Sequence, residues 1–400
     1  MTKLKRRNFI KTLSGTSLLT LTGSDVLARH SEEAFLLLTK PYLQHPSEDG
    51  MTICWLTNKP AHSWVVYWEQ GQSDKKTKKQ TLVDGLAIAN NTVNKIRLTG
   101  LKAGQQYSYQ VYSKEIIDFQ AYKKVFGPTL QSEVFNFSTV APEKEEMAML
   151  ILNDIHDRPH SFAALIGLHR DRPYDEVFLN GDMFDYQDGE QQLIDHLIAP
   201  CTAIFASAKP FLFVRGNHET RGHFAYHLND YFENIDKQAY FTFTRGPVFF
   251  AALDTGEDKE DDHEAYYGMA AFDPFREEQA AWLARALQTP AARQAHYRVI
   301  LMHIPPYHSG DWHGTSHCRQ VFSPVFEKHQ VDLVISGHTH RYGVHLAQPD
   351  HSYPIVIGGG PKEGTRTAIH LTANKEHLQL SMVADNGQEV GQLALKPRQG

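Results

Sequence analysis

Five short strings of this sequence bring carboxylate, carboxamide and imidazole side chains together at close spacing. They are Asn153-Asp154-Ile155-His156, Gly181-Asp182-Met183-Phe184-Asp185, Gly216-Asn217-His218-Glu219, His303-Ile304-Pro305-Pro306-Tyr307 and Gly337-His338-Thr339-His340. Asp, Asn and His donate through oxygen and imidazole nitrogen, and no cysteine stands among them, which favours Mn, Fe or Zn over a structural thiolate site. Asp154-x-His156 and His338-x-His340 each set two side chains on one side of an extended strand end. Two divalent ions about 3.5–4 Å apart would polarise a phosphoryl group and generate a hydroxide for in-line attack. Gly181, Gly216 and Gly337 read as points where the backbone turns sharply beneath each ligand. One Asp-x-His string alone carries little information. Five strings in order, each behind an apolar run, carry a great deal.

The elements that must position these residues follow from periodicity. Apolar runs at Met147–Leu152, Val177–Leu179, Phe211–Val214, Val299–Leu301 and Leu333–Ile335 alternate with helix-like stretches at Gln191–Ala206, Arg276–Leu287 and Val321–Lys328. Continuous apolar strands covered by helices predict an α/β sandwich over residues 147–397. Side chains at strand C-termini converge on one crevice in such folds. Residues 35–141 read differently, as short alternating strands with turn residues between them. Met51, Ile53 and Trp55 share one strand face, as do Tyr107, Tyr109 and Val111. Leu101 to Tyr107 looks like the tyrosine corner of immunoglobulin-like sandwiches, and Phe135 to Thr139 resembles the last strand of a fibronectin type III module. A small all-β, fibronectin-like sandwich is therefore expected, with Pro142–Glu146 as the linker. Lys75, Lys76, Lys78 and Lys79 read as a solvated hairpin tip, and Gly358-Gly359-Gly360 as a strand-end turn.

Composition narrows the function classes. Forty Lys and Arg against 46 Asp and Glu leave a net charge of −6, which speaks against nucleic-acid coating. Three cysteines, Cys54, Cys201 and Cys318, cannot build a disulfide framework. No apolar run approaches the length of about 18 residues needed to span a membrane. Residues 1–28 read as a cleavable leader ending at Ala28. Arg6-Arg7 with Phe9 and Lys11 resembles the twin-arginine export signal, so the expected partner is that export machinery and the expected location periplasmic.

The order D-x-H, G-D-x-x-D, G-N-H-E, H, G-H-x-H resembles the calcineurin-like metallophosphoesterase superfamily from about Met147 to Tyr342, which implies a two-sheet sandwich flanked by helices that the later hairpins complete. Carried over position by position, the resemblance implies that Asp154, His156, Asp182 and His340 hold one metal ion. Asp182 would bridge to a second held by Asn217, His303 and His338. It implies that His218 protonates the leaving oxygen or steadies the phosphoryl group. Asp185 would orient His218 and favour its protonated form. A fibronectin-like domain ahead of such a domain is similar to purple acid phosphatases. That family has D-x-G followed by G-D-x-x-Y with a metal-binding tyrosine; here His156 is gained, and Asp185 stands at the tyrosine position with Tyr186 one residue later. Arg158, Arg221, Tyr307, His308, His313 and Arg341 are candidate substrate contacts, His308 to His313 forming a site-lining loop. The expected activity is phosphomonoester hydrolysis on two divalent transition-metal ions, acting on a phosphorylated small molecule. A phosphodiesterase acting on nucleotides or lipid head groups is the enzymatic alternative, and a non-catalytic adhesion or scaffold protein the alternative from another class.

Overall fold

The computed structural model describes residues 33–398, so the leader expected at residues 1–28 lies outside them. The first strands are β1 (Tyr42–Ser47), β2 (Gly50–Glu69), β3 (Thr77–Lys79), the short pair β4 (Leu82–Val83) and β5 (Leu86–Ala87), β6 (Ala89–Leu98), β7 (Gln106–Phe119), β8 (Lys124–Gln131) and β9 (Phe135–Ser138). Apart from the β4–β5 pair they form one seven-stranded antiparallel sheet folded on itself. The first half of β2 pairs with β1 and β6 and its second half with β3 and β7, with register shifts near the exposed Pro60. One strand thus serves both layers, and the core lies between its halves: Met51, Ile53 and Trp55 face Val65, Tyr107, Tyr109 and Val111. The tyrosine corner is present, since the Lys102 amide donates to Tyr107 Oη at 2.9 Å. Trp55 is buried, and its indole N–H donates to Ser113 Oγ.

The intervening residues of β2 are not solvated as simple alternation predicts. Cys54 and Leu56, with Tyr42 of β1, are buried in a second core shared with residues of the following α/β region. Tyr42 Oη donates to the Tyr231 carbonyl, Gln44 to that of Phe211 and Tyr109 Oη to that of Ser207. Residues 35–398 accordingly group as a single compact unit.

From Met147 the chain runs through β10 (Met147–Leu152), α1 (His160–Gly167), β11 (Glu176–Asn180), α2 (Glu190–Leu193), a π-helical turn (Ile194–Ile198), α3 (Ala199–Ile204), β12 (Phe211–Val214), β13 (Phe241–Arg245) and β14 (Val248–Leu253). It continues through α4 (Phe272–Ala286), α5 (Pro290–Gln294), β15 (Tyr297–Met302), α6 (His313–Lys328), β16 (Leu333–Ser336), β17 (Gly343–His345), β18 (Ile355–Ile357), β19 (Thr367–Ala373), β20 (Leu378–Ala384) and β21 (Glu389–Leu395). Two six-stranded sheets result, in the orders β12-β11-β10-β19-β20-β21 and β13-β14-β15-β16-β18-β17. Strands β10, β11, β12, β14 and β16 are buried on both faces and β15 nearly so, which explains the unbroken apolar runs. In β10, Met149 and Ile151 point between the sheets while Leu150 and Leu152 meet the core beside α1 and α3. In β15, Val299 and Leu301 point inward while Ile300 and Met302 meet Cys318 and Phe322 of α6. The parallel groups β10-β11-β12 and β14-β15-β16 end on the same side, where all five strings sit. Helix α6 begins eight residues before the expected Val321, so His313 opens a helix and does not lie in a loop.

Candidate metal centre

Each ligand string emerges where a strand stops, and the backbone there is unusual. Asp154, His156, Asp182, His338 and His340 all have positive φ, between 50° and 73°. That left-handed region suits Asp, Asn, His and Gly far better than branched residues, and strained backbone of this kind concentrates at functional sites. Of the three glycines expected to turn the chain, only Gly181 lies there, with φ 81°. Gly216 and Gly337 serve another purpose. A Cβ at these positions would overlap the carboxylates of Asp182 and Asp154, so they are small to let the ligands lie flat against the backbone.

The side chains fall into two groups that share Asp182. In the first, the ligand atoms of Asp154, His156, Asp182 and His340 all lie within 4.8 Å of one another. His156 Nε2 is 3.6 Å from Asp154 Oδ1 and 3.5 Å from Asp182 Oδ2, and His340 Nε2 is 3.2 Å from Asp154 Oδ1. The second group is Asp182, His303 and His338, with His303 Nε2 3.0 Å from Asp182 Oδ2 and His338 Nδ1 3.0 Å from Asn217 Oδ1. Asp154 Oδ1 and His303 Nε2 are fully buried without a hydrogen-bond partner, the 3.0 Å approach of His303 lacking hydrogen-bond geometry. Buried polar atoms are rarely left that way. Two orphaned atoms within a set of oxygen and imidazole ligands converging from five strand ends fit two divalent ions of the Mn, Fe or Zn kind.

Electrostatics agree with a site built to hold positive charge. Burial works against a charged His303, but Asp182 and then Asp154 outweigh it and raise its pKa to about 10. Burial, followed by the charge on His303, pushes His338 down to about 4. Burial opposes ionisation of Asp154 as well, yet the surrounding histidines hold its carboxyl well below the usual range.

Supporting residues fix these ligands, and most were not evident in the sequence. Glu219 is fully buried, and its carboxylate accepts from the amides of Asp182, Met183 and Gly216 at 2.6–2.8 Å. It clamps the loop after β11 to the loop after β12. Burial and then Asp182 push its carboxyl up to about 7, against the pull of those donors. Asn180 donates to the carbonyls of Met302 and Ile335, tying the two sheets together, while its own carbonyl accepts from His303 Nδ1 at 2.8 Å. That bond leaves His303 Nε2 free to serve as a ligand. The fourth letter of G-N-H-E was the only signal for Glu219, and Asn180 carried none.

The Asp185–His218 pair differs from expectation. The Asp185 carboxylate turns to His156 Nδ1 at 2.9 Å, and only its backbone carbonyl accepts from His218 Nδ1, at 2.7 Å. Arg221 Nη1 donates to His218 Nε2 at 3.0 Å, so the two partners together select a neutral imidazole with its proton on Nδ1. Burial, and the Arg221 charge after it, lower the His218 pKa although Asp182 pulls the other way. Arg221 is itself held by Glu257 in a two-pronged ion pair through Nε and Nη2.

The expected substrate contacts divide. Arg158 stays at the site, bonded to the His156 carbonyl and 3.9 Å from the Asp185 carboxylate. Tyr307 Oη donates to the Asp350 carbonyl, His308 Nε2 meets His351 Nε2 at 3.2 Å, and His313 Nε2 lies 2.9 Å from both Asp273 oxygens. These three make no polar contact with the candidate ligands among the described residues; their side chains brace the loop after β15 and the start of α6. The Tyr186 side chain is half exposed, and it is the half-exposed Asp185 carboxylate that reaches His156.

Comparison with known proteins places these features. Residues 147–342 match the calcineurin-like phosphoesterase family, and residues 39–139 match the purple acid phosphatase N-terminal domain. Purple acid phosphatase 21 of Arabidopsis thaliana is 22% identical over 352 residues, covering 82% of this chain and 72% of its own. Probable purple acid phosphatase 20 of the same plant is 24% identical over 350 residues, covering 80% and 73%. In fold, the chain is similar to purple acid phosphatase PPD1 from yellow lupin (Lupinus luteus) seeds, with a TM-score of 0.68, 15% identity and coverage of 91% and 74%. It is also similar to PhoD, with a TM-score of 0.61, 13% identity and coverage of 90% and 89%.

Proposed function

We propose, from the premise that this chain carries a calcineurin-like phosphoesterase domain behind a purple acid phosphatase N-terminal domain and is a phosphatase-like hydrolase, that it is exported and cleaves phosphomonoesters. The observation that carries the reading is Asp182 standing between two ligand groups with Arg221 and His218 beside it. Asp154, His156, Asp182 and His340 would hold one divalent ion, and Asp182, Asn217, His303 and His338 the other. When bound, the pair supplies positive charge that polarises the phosphoryl group and lowers the pKa of an attacking water.

The remaining work belongs to side chains. Arg221, fixed by Glu257, offers Nη1 as a donor for a nonbridging phosphoryl oxygen, an interaction stronger than a neutral hydrogen bond. His218 spends its Nδ1 proton on the Asp185 carbonyl and presents the Nε2 lone pair to Arg221, holding that donor against an imidazole nitrogen 4.0 Å from Asp182 Oδ2. To protonate a leaving oxygen, His218 would first have to gain a proton at Nε2, which burial and Arg221 both oppose. The phosphoryl-binding role is therefore assigned to Arg221, with His218 positioning it. Arg158 lies near enough to extend the cationic wall.

We take residues 35–141 and 147–397 as the two domains. Export rests on residues 1–28, whose Arg6-Arg7, Phe9, Lys11 and Ala28 support passage to the periplasm by the twin-arginine machinery. Retention of an Arg6→Lys/Arg7→Lys protein inside the cell tests that route. For the activity, kcat/KM is compared on monoesters and diesters with metal-loaded protein. Monoesters should be preferred, and Arg221→Ala should cost about 10²–10³-fold in kcat/KM on them, the usual loss of a transition-state donor. A preference for diesters, or an Arg221→Ala protein of full activity, overturns the reading.

A further inference from the structure

The N-terminal β region carries a feature unrelated to the metal centre. Along β2, β3, β7 and β8, four aromatic rings each carry a lysine ammonium above them. Lys76 lies 4.5 Å from the Trp68 ring, Lys78 4.2 Å from Trp64, Lys114 4.6 Å from Phe126 and Lys124 4.9 Å from Phe119. Such pairs occur roughly once per 70–80 residues in ordinary proteins, so four on neighbouring strands form a dense cluster. Trp64 and Tyr112 stand opposite each other on adjacent strands with stacked rings, and Lys78 pairs across from Val66, which continues the Trp64 face.

The row leads to the β7–β8 hairpin tip, where large apolar side chains are exposed. Tyr122 is fully exposed, Ile117 is 59% exposed and Phe119 50%. No hydrogen bond or ion pair joins residues 120–131 to the α/β region among the described residues; that region is met instead by hydrogen bonds from Tyr42, Gln44, Lys95 and Tyr109 and by the packing of Cys54 and Leu56. Charge singles out the same region. Residues 35–141 hold twelve Lys and Arg against eight Asp and Glu, a net +4 in a chain whose total is −6. Lys40, Lys59, Lys95 and Lys102 are paired with carboxylates, whereas Lys76, Lys78, Lys114, Lys123 and Lys124 have no such partner among the described residues.

We propose that this lysine-capped aromatic row and the Phe119–Tyr122 tip dock the protein on an anionic phospholipid surface. Exposed rings such as Phe119, Tyr122 and Phe126 can settle at the level of lipid headgroups, while the buried Trp68 offers the apolar surface along which the Lys76 stem lies with its ammonium free to reach phosphate. Neither half of the patch would hold the protein alone; together they supply the two signals that stable peripheral attachment requires.

The test is co-sedimentation of the full, metal-loaded chain with phosphatidylcholine vesicles, with and without phosphatidylglycerol. Binding should appear only with phosphatidylglycerol and weaken with salt. Lys123→Gln and Lys124→Gln should each weaken it on the order of fivefold. Phe119→Ser/Tyr122→Ser should weaken it with melting temperature and turnover of a soluble phosphoester unchanged. Absence of binding, equal binding to both vesicles, or binding indifferent to both sets of variants overturns the proposal. So does binding to a soluble anionic polysaccharide with none to vesicles, which would assign the patch to a polymer.

Discussion

Asp185 separates holding a metal ion from handling the substrate. Its carboxylate orients His156 while its carbonyl orients His218, so one substitution removes the first contact and spares the second. Asp185→Ala should weaken metal retention about 10–100-fold, the usual effect of losing an outer partner of a ligating histidine. Elemental analysis after dialysis reads this, and excess metal should restore activity. His218→Asn should keep both ions yet lose about 10²-fold in kcat, equally for nitrophenyl and alkyl phosphates, because it positions a donor without itself giving up a proton. A His218→Asn protein that sheds metal would show the residue to be a ligand. The candidate ligands were legible because each follows an apolar run at short, fixed spacing. The target of Asp185 was not, because His156 and His218 both lie within reach and spacing does not say which ring meets the carboxylate. Arg221 stood three residues beyond His218 in plain view; its anchor Glu257 lies 36 positions away and only folding brings it close.

At the scale of elements, the centre depends on loops held by buried side chains. Glu219→Ala would strip the amides of Asp182, Met183 and Gly216 of their acceptor inside the protein. Each orphaned donor costs about 1–3 kcal/mol, so chemical denaturation should register a loss of at least ~3 kcal/mol. Metal content should fall with it, since the shared Asp182 loses its backbone restraint. Unchanged stability would mean the loops are held by other means. Strands were legible at this scale because burial on both faces leaves unbroken apolar runs. The first half of α6 was not. His313-Gly314-Thr315-Ser316-His317 is polar and contains a glycine, yet Gly314, Thr315 and His317 are buried in the fold. Gly314 lies against Asp258, a contact between distant segments that local periodicity does not register.

At the scale of the whole molecule, the β strands and the α/β region share a core. Tyr42, Cys54 and Leu56 pack with Leu150, Phe211 and Tyr231, and Tyr42 Oη also donates to the Tyr231 carbonyl. Tyr42→Ala should cost about 3–5 kcal/mol, as large core truncations do. Calorimetry should show one transition moving to lower temperature as a whole. Two separated transitions would mean that the two regions unfold independently. Alternation in β2 gave no hint of this, because a strand buried on both faces by two different neighbours looks from sequence like an ordinary core strand. The shared core also orders events during synthesis. Leu56 leaves the ribosome long before Tyr231, and at roughly 5–20 residues per second the interval is about 9–35 s. For that time the flank of β1 and β2 is complete but uncovered, an apolar surface awaiting its partner. A translational pause between Leu56 and Phe211 would lengthen the exposure of this surface to aggregation.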